Sequence, residues 1–295
     1  MPRAIALMVA STLTFGLMAI CIRLAAATTH PFEITFFRNL FGLVFALPLL
    51  LRPGLALLRT DRFGFYVLRS MTGLGAMLTS VWALVHLPLT QAVAISYSVP
   101  LFVTIAAVLV LGEVVRARRW TAVVVGFVGV LVILRPQAGA LPPAALVALL
   151  SAALSASSYI SVKYLTRTEP ADAVVVYMAL LMTPVSLVPA VPVWNWPDAT
   201  AWLWLVLTGL CGTVAQVCMT RAYRLGDVSA LIPLNFVQLP FVAVLAWWLF
   251  GEHIDATTVF GAAIIVGANI YIARREARLG RRRVTDPRAG GDAAR

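Results

Sequence analysis

The sequence predicts an all-α membrane protein, with ten transmembrane helices arranged as two inverted five-helix repeats around a central cavity. Three observations predict it. Hydrophobic residues make up 61% of the 295 residues and charged residues only 12%, roughly half the charge that a soluble surface carries. The apolar residues fall into blocks of about 20, the length a helix needs to cross ~30 Å of hydrocarbon. And one long pattern occurs twice along the chain.

Breaks at charged, proline and glycine residues divide the chain into ten expected spans. These are roughly 4–27, 32–51, 63–86, 90–111, 119–135, 142–163, 172–192, 200–221, 228–250 and 256–273. The alternation of apolar and polar residues that a transmembrane β-barrel needs is absent. The first apolar block has no evident cleavage site and leads straight into further spans, so it reads as a retained helix rather than a leader.

The net charge of +11 would suit a nucleic-acid partner, but its placement excludes one. Basic residues gather at the N-terminus and in alternate loops: Arg52, Arg59 and Arg62; Arg116, Arg118 and Arg119; Lys163 and Arg167; Arg221 and Arg224. The tail from Arg274 adds more. This is the positive-inside distribution, which puts both termini in the cytoplasm. Trp194 and Trp196 fall at an outer helix end, where amphipathic rings favour the interface. Of the basic side chains, 22 are Arg and one is Lys, which points to a high-GC bacterial source and to the bacterial inner membrane.

The repeat ends in Gly-Glu both times. LPLTQAVAISYSVPLFVTIAAVLVLGE closes at Glu113, and LGDVSALIPLNFVQLPFVAVLAWWLFGE closes at Glu252, 139 residues later. Pro100 lies 13 residues before its glutamate and Pro240 lies 12 before its own. Five spans per copy is an odd number, so the copies must run in opposite directions. Inverted repeats of this kind rock against one another about a midplane site in many secondary transporters. The expected units are 1–137 and 138–274, followed by a basic, disordered tail over 275–295.

Polar groups within the spans are costly and therefore informative. A charge at mid-membrane costs at least ~2.5–3.5 kcal/mol on insertion scales. Arg38 lies about a third of the way into the second span, with Glu33 nearer the outer mouth. Arg38 suits either a solute carboxylate or phosphate, or a bridge to helix ends or Glu33. Glu113 and Glu252 each close a helix, where a carboxylate opposes the helix dipole. Each should therefore find a partner in another helix start or an Arg, either as an anchor or as a gate.

Pro100, Pro233 and Pro240 interrupt otherwise regular helices and free backbone groups, which a membrane tolerates only against protein or a wet cavity. Around them lie Ser96, Tyr97 and Ser98 in the fourth span, and Asn235 and Gln238 in the ninth. Gln216 in the eighth span and Ser155, Ser158 and Tyr159 in the sixth add to the set. Each suits interhelical bonding as well as solute contact; together they favour a wet cavity, with Phe15 and Trp82 as aromatic walls. Gly73, Gly75, Gly209, Gly212, Ser151 and Ser155 suit close helix packing.

These residues carry a resemblance. Phe15-Gly16 in the first span, Phe37-Arg38-Asn39 in the second, the run from Gly126 to Val130 in the fifth, and the two proline-to-Gly-Glu helices resemble the EamA-like branch of the drug/metabolite transporter superfamily over residues 4–274. The resemblance implies ten helices in two inverted halves, with a cavity lined by the first, third, fourth, sixth, eighth and ninth spans. The second span is similar to that of a branch containing transporters of S-adenosylmethionine and riboflavin.

The expected partners are a small organic solute and the lipid bilayer, with either a monomer or a homodimer open. The expected solute is amphipathic, zwitterionic or planar. No cofactor is expected, and no metal: Cys21, Cys211 and Cys218 lack metal or redox spacing. An intramembrane enzyme is disfavoured because no HExxH, GxSxG or GxGD motif occurs, and His30, His86 and His253 are isolated. No GxxxxGK[ST] loop is present, so ATP is not the direct energy source. A lipid flippase or a membrane scaffold is the alternative. Proton coupling would have to use Glu33, Glu113, Glu252, Asp227 or Asp255, with exchange and facilitation equally open.

Overall fold

A computed structural model describes residues 2–50, 60–111, 117–134, 142–165, 169–225, 231–253 and 255–285. Each expected span corresponds to helix, and no strand occurs among the described residues. The first three are α1 (Pro2–Ala25), α2 (Pro31–Ala46) and α3 (Phe63–His86). The fourth is broken into α4 (Leu89–Ser96) and α5 (Val99–Leu111). Then come α6 (Ala117–Leu134), α7 (Pro143–Leu165), α8 (Ala171–Ala190) and α9 (Ala199–Leu225). The ninth span is a 3-10 segment, Ile232–Val237, running into α10 (Gln238–Phe250). The last is α11 (Ala256–Thr285), which carries the helix into the stretch expected to be a disordered tail. Residues 286–295 lie outside the described residues.

The chain is an all-α membrane protein. Five described helical stretches are long and apolar enough to cross a bilayer, and four shorter apolar helices accompany them. The outward surface agrees. Val124, Val125, Val128 and Leu131 are exposed on α6, and Val244, Trp247 and Trp248 on α10. Exposed apolar bands of this kind are stable against lipid, where helices satisfy their own backbone groups.

Local chemistry sets the helix ends. His30 caps α2, its ring accepting from Phe32 N–H, while Glu33 reaches back to the His30 N–H at 2.9 Å and Pro31 fills the first turn. This is a capping box with an unusual first member. At the other extreme, α10 ends at Gly251 with φ of 65°, a left-handed turn that a side chain disfavours.

Helix pairing repeats itself under exchange of the two copies. α1 packs on α9, and its counterpart α3 on α7; α2 packs on α9, and α3 on α8. The fourth span packs on α7 as the ninth packs on α1. Three pairings map onto themselves: α2 with α8, α6 with α11, and the fourth span with the ninth. The α6–α11 seam brings backbone against backbone. A Cβ on Gly261 would lie 2.6 Å from Gly129 O, and one on Gly129 would lie 2.8 Å from Gly261 O. Only glycine permits that backbone approach, the small-residue packing expected between membrane helices.

The copies run in opposite directions. Glu252, just past the end of α10, touches Leu89 at the start of α4. Corresponding helices of the two copies therefore meet end to start. The ends of α1, α3, α6 and α10 gather with the starts of α2, α4, α9 and α11 at what we call the distal end, away from the N-terminus.

Candidate functional site

The broken spans cross each other where they break. Pro100 is the second residue of α5 and Pro240 the third of α10. The sequence places these prolines in helix interiors; the structure places both in first turns, where the missing N–H is an orphan anyway. A continuous helix would drive the Pro100 ring against the carbonyl of Ser96, so the chain breaks ahead of it. Across the break Tyr97 N–H donates to Ala94 O and Ser98 N–H to Ile95 O, a tightening of the last turn.

The Tyr97 hydroxyl donates to Asn235 O at 3.0 Å, across 138 residues of sequence, nearly the repeat length. Its ring stands edge-on to Phe236, with centroids 5.1 Å apart. Asn269 of α11 donates from Nδ2 to Tyr97 O at 2.8 Å, and the Thr12 hydroxyl of α1 lies 3.4 Å from Asn235 Oδ1. Ser98 Oγ is buried without a partner among the described residues. The crossing thus concentrates buried polar groups where the backbone ladder is interrupted, a pattern that a membrane tolerates only against protein or a wet cavity.

The distal end is tied by one ion pair. Glu252 Oε2 accepts from Leu89 N–H at 2.8 Å, and Oε1 lies 3.4 Å from Arg23 Nη2. Pro88, the residue before α4, offers no side-chain cap. The glutamate therefore supplies both the missing acceptor and the negative charge that a helix start favours. Arg23 Nη1 donates to Leu84 O and Val85 O at 2.6 Å each and to Leu87 O at 3.0 Å. A cation on those carbonyls complements the end of α3. A pocket of about 220 Å³ opens beside the tie, with Gln91, Glu252, His253 and Asp255 in its wall.

Two further arginines lie within spans. Arg69, passed over in the sequence, is buried in α3, with Nη1 donating to Ser158 Oγ of α7 at 2.9 Å and Nη2 lying 3.5 Å from Met178 Sδ of α8. Its signal was available: an arginine two turns inside an apolar run. Arg38 of α2 does not bridge Glu33. The Glu33 carboxylate is fully buried and occupied by the main-chain N–H groups of His30, at 2.9 Å, and Asn195, at 2.6 Å. Glu33 is therefore a clamp between α2 and the α8–α9 connection. Phe36 and Phe37 pack on Trp194 beside it, with centroids 5.7 and 5.4 Å apart.

The remaining candidates divide. Tyr97, Ser98 and Asn235 come together at the crossing, and Gln238 opens α10 next to it, half-buried. Phe15 and Gln216 are half-buried on α1 and α9. Trp82 stacks on His86, with centroids 3.9 Å apart, one turn from the distal end of α3, away from the crossing. Glu113 and the Tyr159 side chain lie outside the described residues. Cys21 and Cys211, far apart in sequence, face one another across the α1–α9 seam.

Ten helical spans in two antiparallel copies, crossing at paired breaks with polar linings, define a membrane protein of the inverted-repeat transporter class. Both copies match the EamA-like transporter family, over residues 2–135 and 142–274, and the chain belongs to that family. It is 33% identical over 249 residues to a riboflavin transporter of Brucella anthropi, covering 82% of this chain and 88% of that one. It is 32% identical over 247 residues to an S-adenosylmethionine uptake transporter of Rickettsia prowazekii, covering 84% of each. A crystal structure with 19% identity superposes with a TM-score of 0.66, over 92% of this chain and 98% of the other, a likeness of fold.

Proposed function

We propose that this protein is a secondary transporter that moves a small organic metabolite across the bacterial inner membrane by alternating access. The crossing of Tyr97 and Asn235 at the two helix breaks carries the reading. Rocking one copy against the other would pivot there, and buried polar groups with interrupted backbone offer a solute its contacts at that level. Residues 1–137 and 138–274 would act as the rocking units. Both termini would be cytoplasmic, since Arg3, Arg62 and Arg221 lie at helix ends opposite Arg23 and Glu252. The distal end would then be periplasmic, and the Arg23–Glu252 tie its closed gate.

The relatives' substrates narrow the chemistry to solutes of the riboflavin and S-adenosylmethionine kind: planar, amphipathic or zwitterionic. Thermal stability of the purified protein against amino acids, S-adenosylmethionine, riboflavin, nucleosides and quaternary amines tests this. A solute at 100 times its dissociation constant stabilises by about 2.7 kcal/mol. A selective shift, followed by flux into liposomes that is lost in Tyr97, Asn235 and Gln238 variants, supports transport. A panel without effect, with phospholipid shifting stability instead, replaces this reading with a lipid flippase or a scaffold.

A further inference from the structure

Arg23, Arg38 and Arg69 are not equivalent. Arg23 is committed to three carbonyls and Glu252. Arg69 is buried against Ser158 and Met178. Among the described residues Arg38 has no hydrogen-bond or ion-pair partner. It lies seven residues into α2, about 10 Å along the helix axis from the distal end. At that depth a guanidinium without a countercharge costs free energy, and such groups mark solute or ion paths rather than scaffolding.

Arg38 is half-buried, packed against α9 and α1. A point one carbon out from Gly212 Cα, on α9, lies 3.6 Å from Arg38 Nε and 3.3 Å from Met18 Sδ of α1. Arg38 therefore lies against the bare backbone of Gly212, with Met18 of α1 close by. The nearest carboxylate along α2, Glu33, is spent on two main-chain donors. What Arg38 lacks among the described residues is a negative charge, and a planar five-donor fork binds a carboxylate in two-point fashion.

We propose that Arg38 is the anion-recognition group of the translocation path, so that the solute carries a carboxylate. This rests on the transport reading and refines it: α-amino-acid-like zwitterions fit, and acid-free planar solutes do not.

The test uses the full-length protein in detergent and in liposomes. The probes are S-adenosylmethionine and free α-amino acids, each beside its carboxylate methyl ester, with riboflavin as the acid-free solute. Wild-type protein is expected to bind a carboxylate probe at least tenfold more tightly than its ester. Arg38→Gln should lose that preference, and Arg38→Lys should keep part of it. Because Arg38 holds no partner among the described residues, Arg38→Gln should melt no lower than wild type without ligand, which separates lost recognition from lost folding. Equal binding of acid and ester, or riboflavin carried at the same rate by wild type and Arg38→Gln, overturns the assignment and leaves transport standing. If no probe crosses the liposome membrane, transport itself falls, while the acid-to-ester binding ratio still decides the role of Arg38.

Discussion

The carboxylate of Glu252 accepts a hydrogen bond from the main-chain N–H of Leu89 at 2.8 Å, capping a helix that begins 163 residues earlier. Pro88 ahead of it has no side chain that can do so. The Gly-Glu ending of the repeat thus has a physical role. Gly251 turns the chain left-handed, and the next residue delivers its carboxylate sideways to the neighbouring copy. Glu252→Ala should cost about 1.5–3 kcal/mol, the range for hydrogen bonds to charged groups. Amide exchange over residues 84–90 should rise with it; unchanged exchange there would mean the tie does not hold the distal end.

Tyr97 and Asn235 separate by mutation because the Tyr97 bond uses the main-chain oxygen of Asn235. Tyr97→Phe should lower stability by about 0.5–1.5 kcal/mol. Asn235→Ala keeps that acceptor and loses only the contact with Thr12, so it should melt close to wild type. If Asn235 touches solute, its alanine variant loses flux without losing stability, which paired melting and liposome uptake would show.

Gly129 and Gly261 face each other at backbone distance. Gly261→Ala puts a methyl 2.6 Å from Gly129 O, where only backbone movement relieves it. Overpacking of this kind costs about 1–3 kcal/mol. Gly126→Ala should be milder, since its new methyl meets the flexible end of Leu101. Thermal melts of the two variants should rank in that order.

Ser158→Ala removes an acceptor 2.9 Å from the buried Arg69 guanidinium. A loss of about 1.5–3 kcal/mol is expected, and Ser158→Thr should restore most of it. Denaturation of both variants in the same detergent provides the comparison.

Span length and loop charge were legible in the sequence because the bilayer imposes them on every helix separately. The antiparallel copies were legible too, from the recurrence of proline and Gly-Glu at one spacing. The position of each break was not. Pro100 reads as a mid-helix kink in a list of residues, yet the steric conflict falls on Ser96, so the helix ends before the proline. Partner choice was legible only as a need. A carboxylate past a helix end calls for a donor, but that the donors are Arg23 and Leu89 depends on how four helices assemble. Arg69 was missed for a related reason: its position near the basic end of α3 hides it among the loop arginines, and only the packing of α7 shows it inside.

Arg23 and Glu252 between them bind the ends of α1, α3 and α10 and the start of α4. The two pairs, α1 with α3 and α10 with α4, are joined through the Arg23–Glu252 contact. If the Arg23–Glu252 contact is what holds this face shut, its opening is expected to be one concerted step. Distance recordings on single molecules labelled at α3 and α10 should jump between two levels, with dwell times set by one barrier and no partly parted state between them.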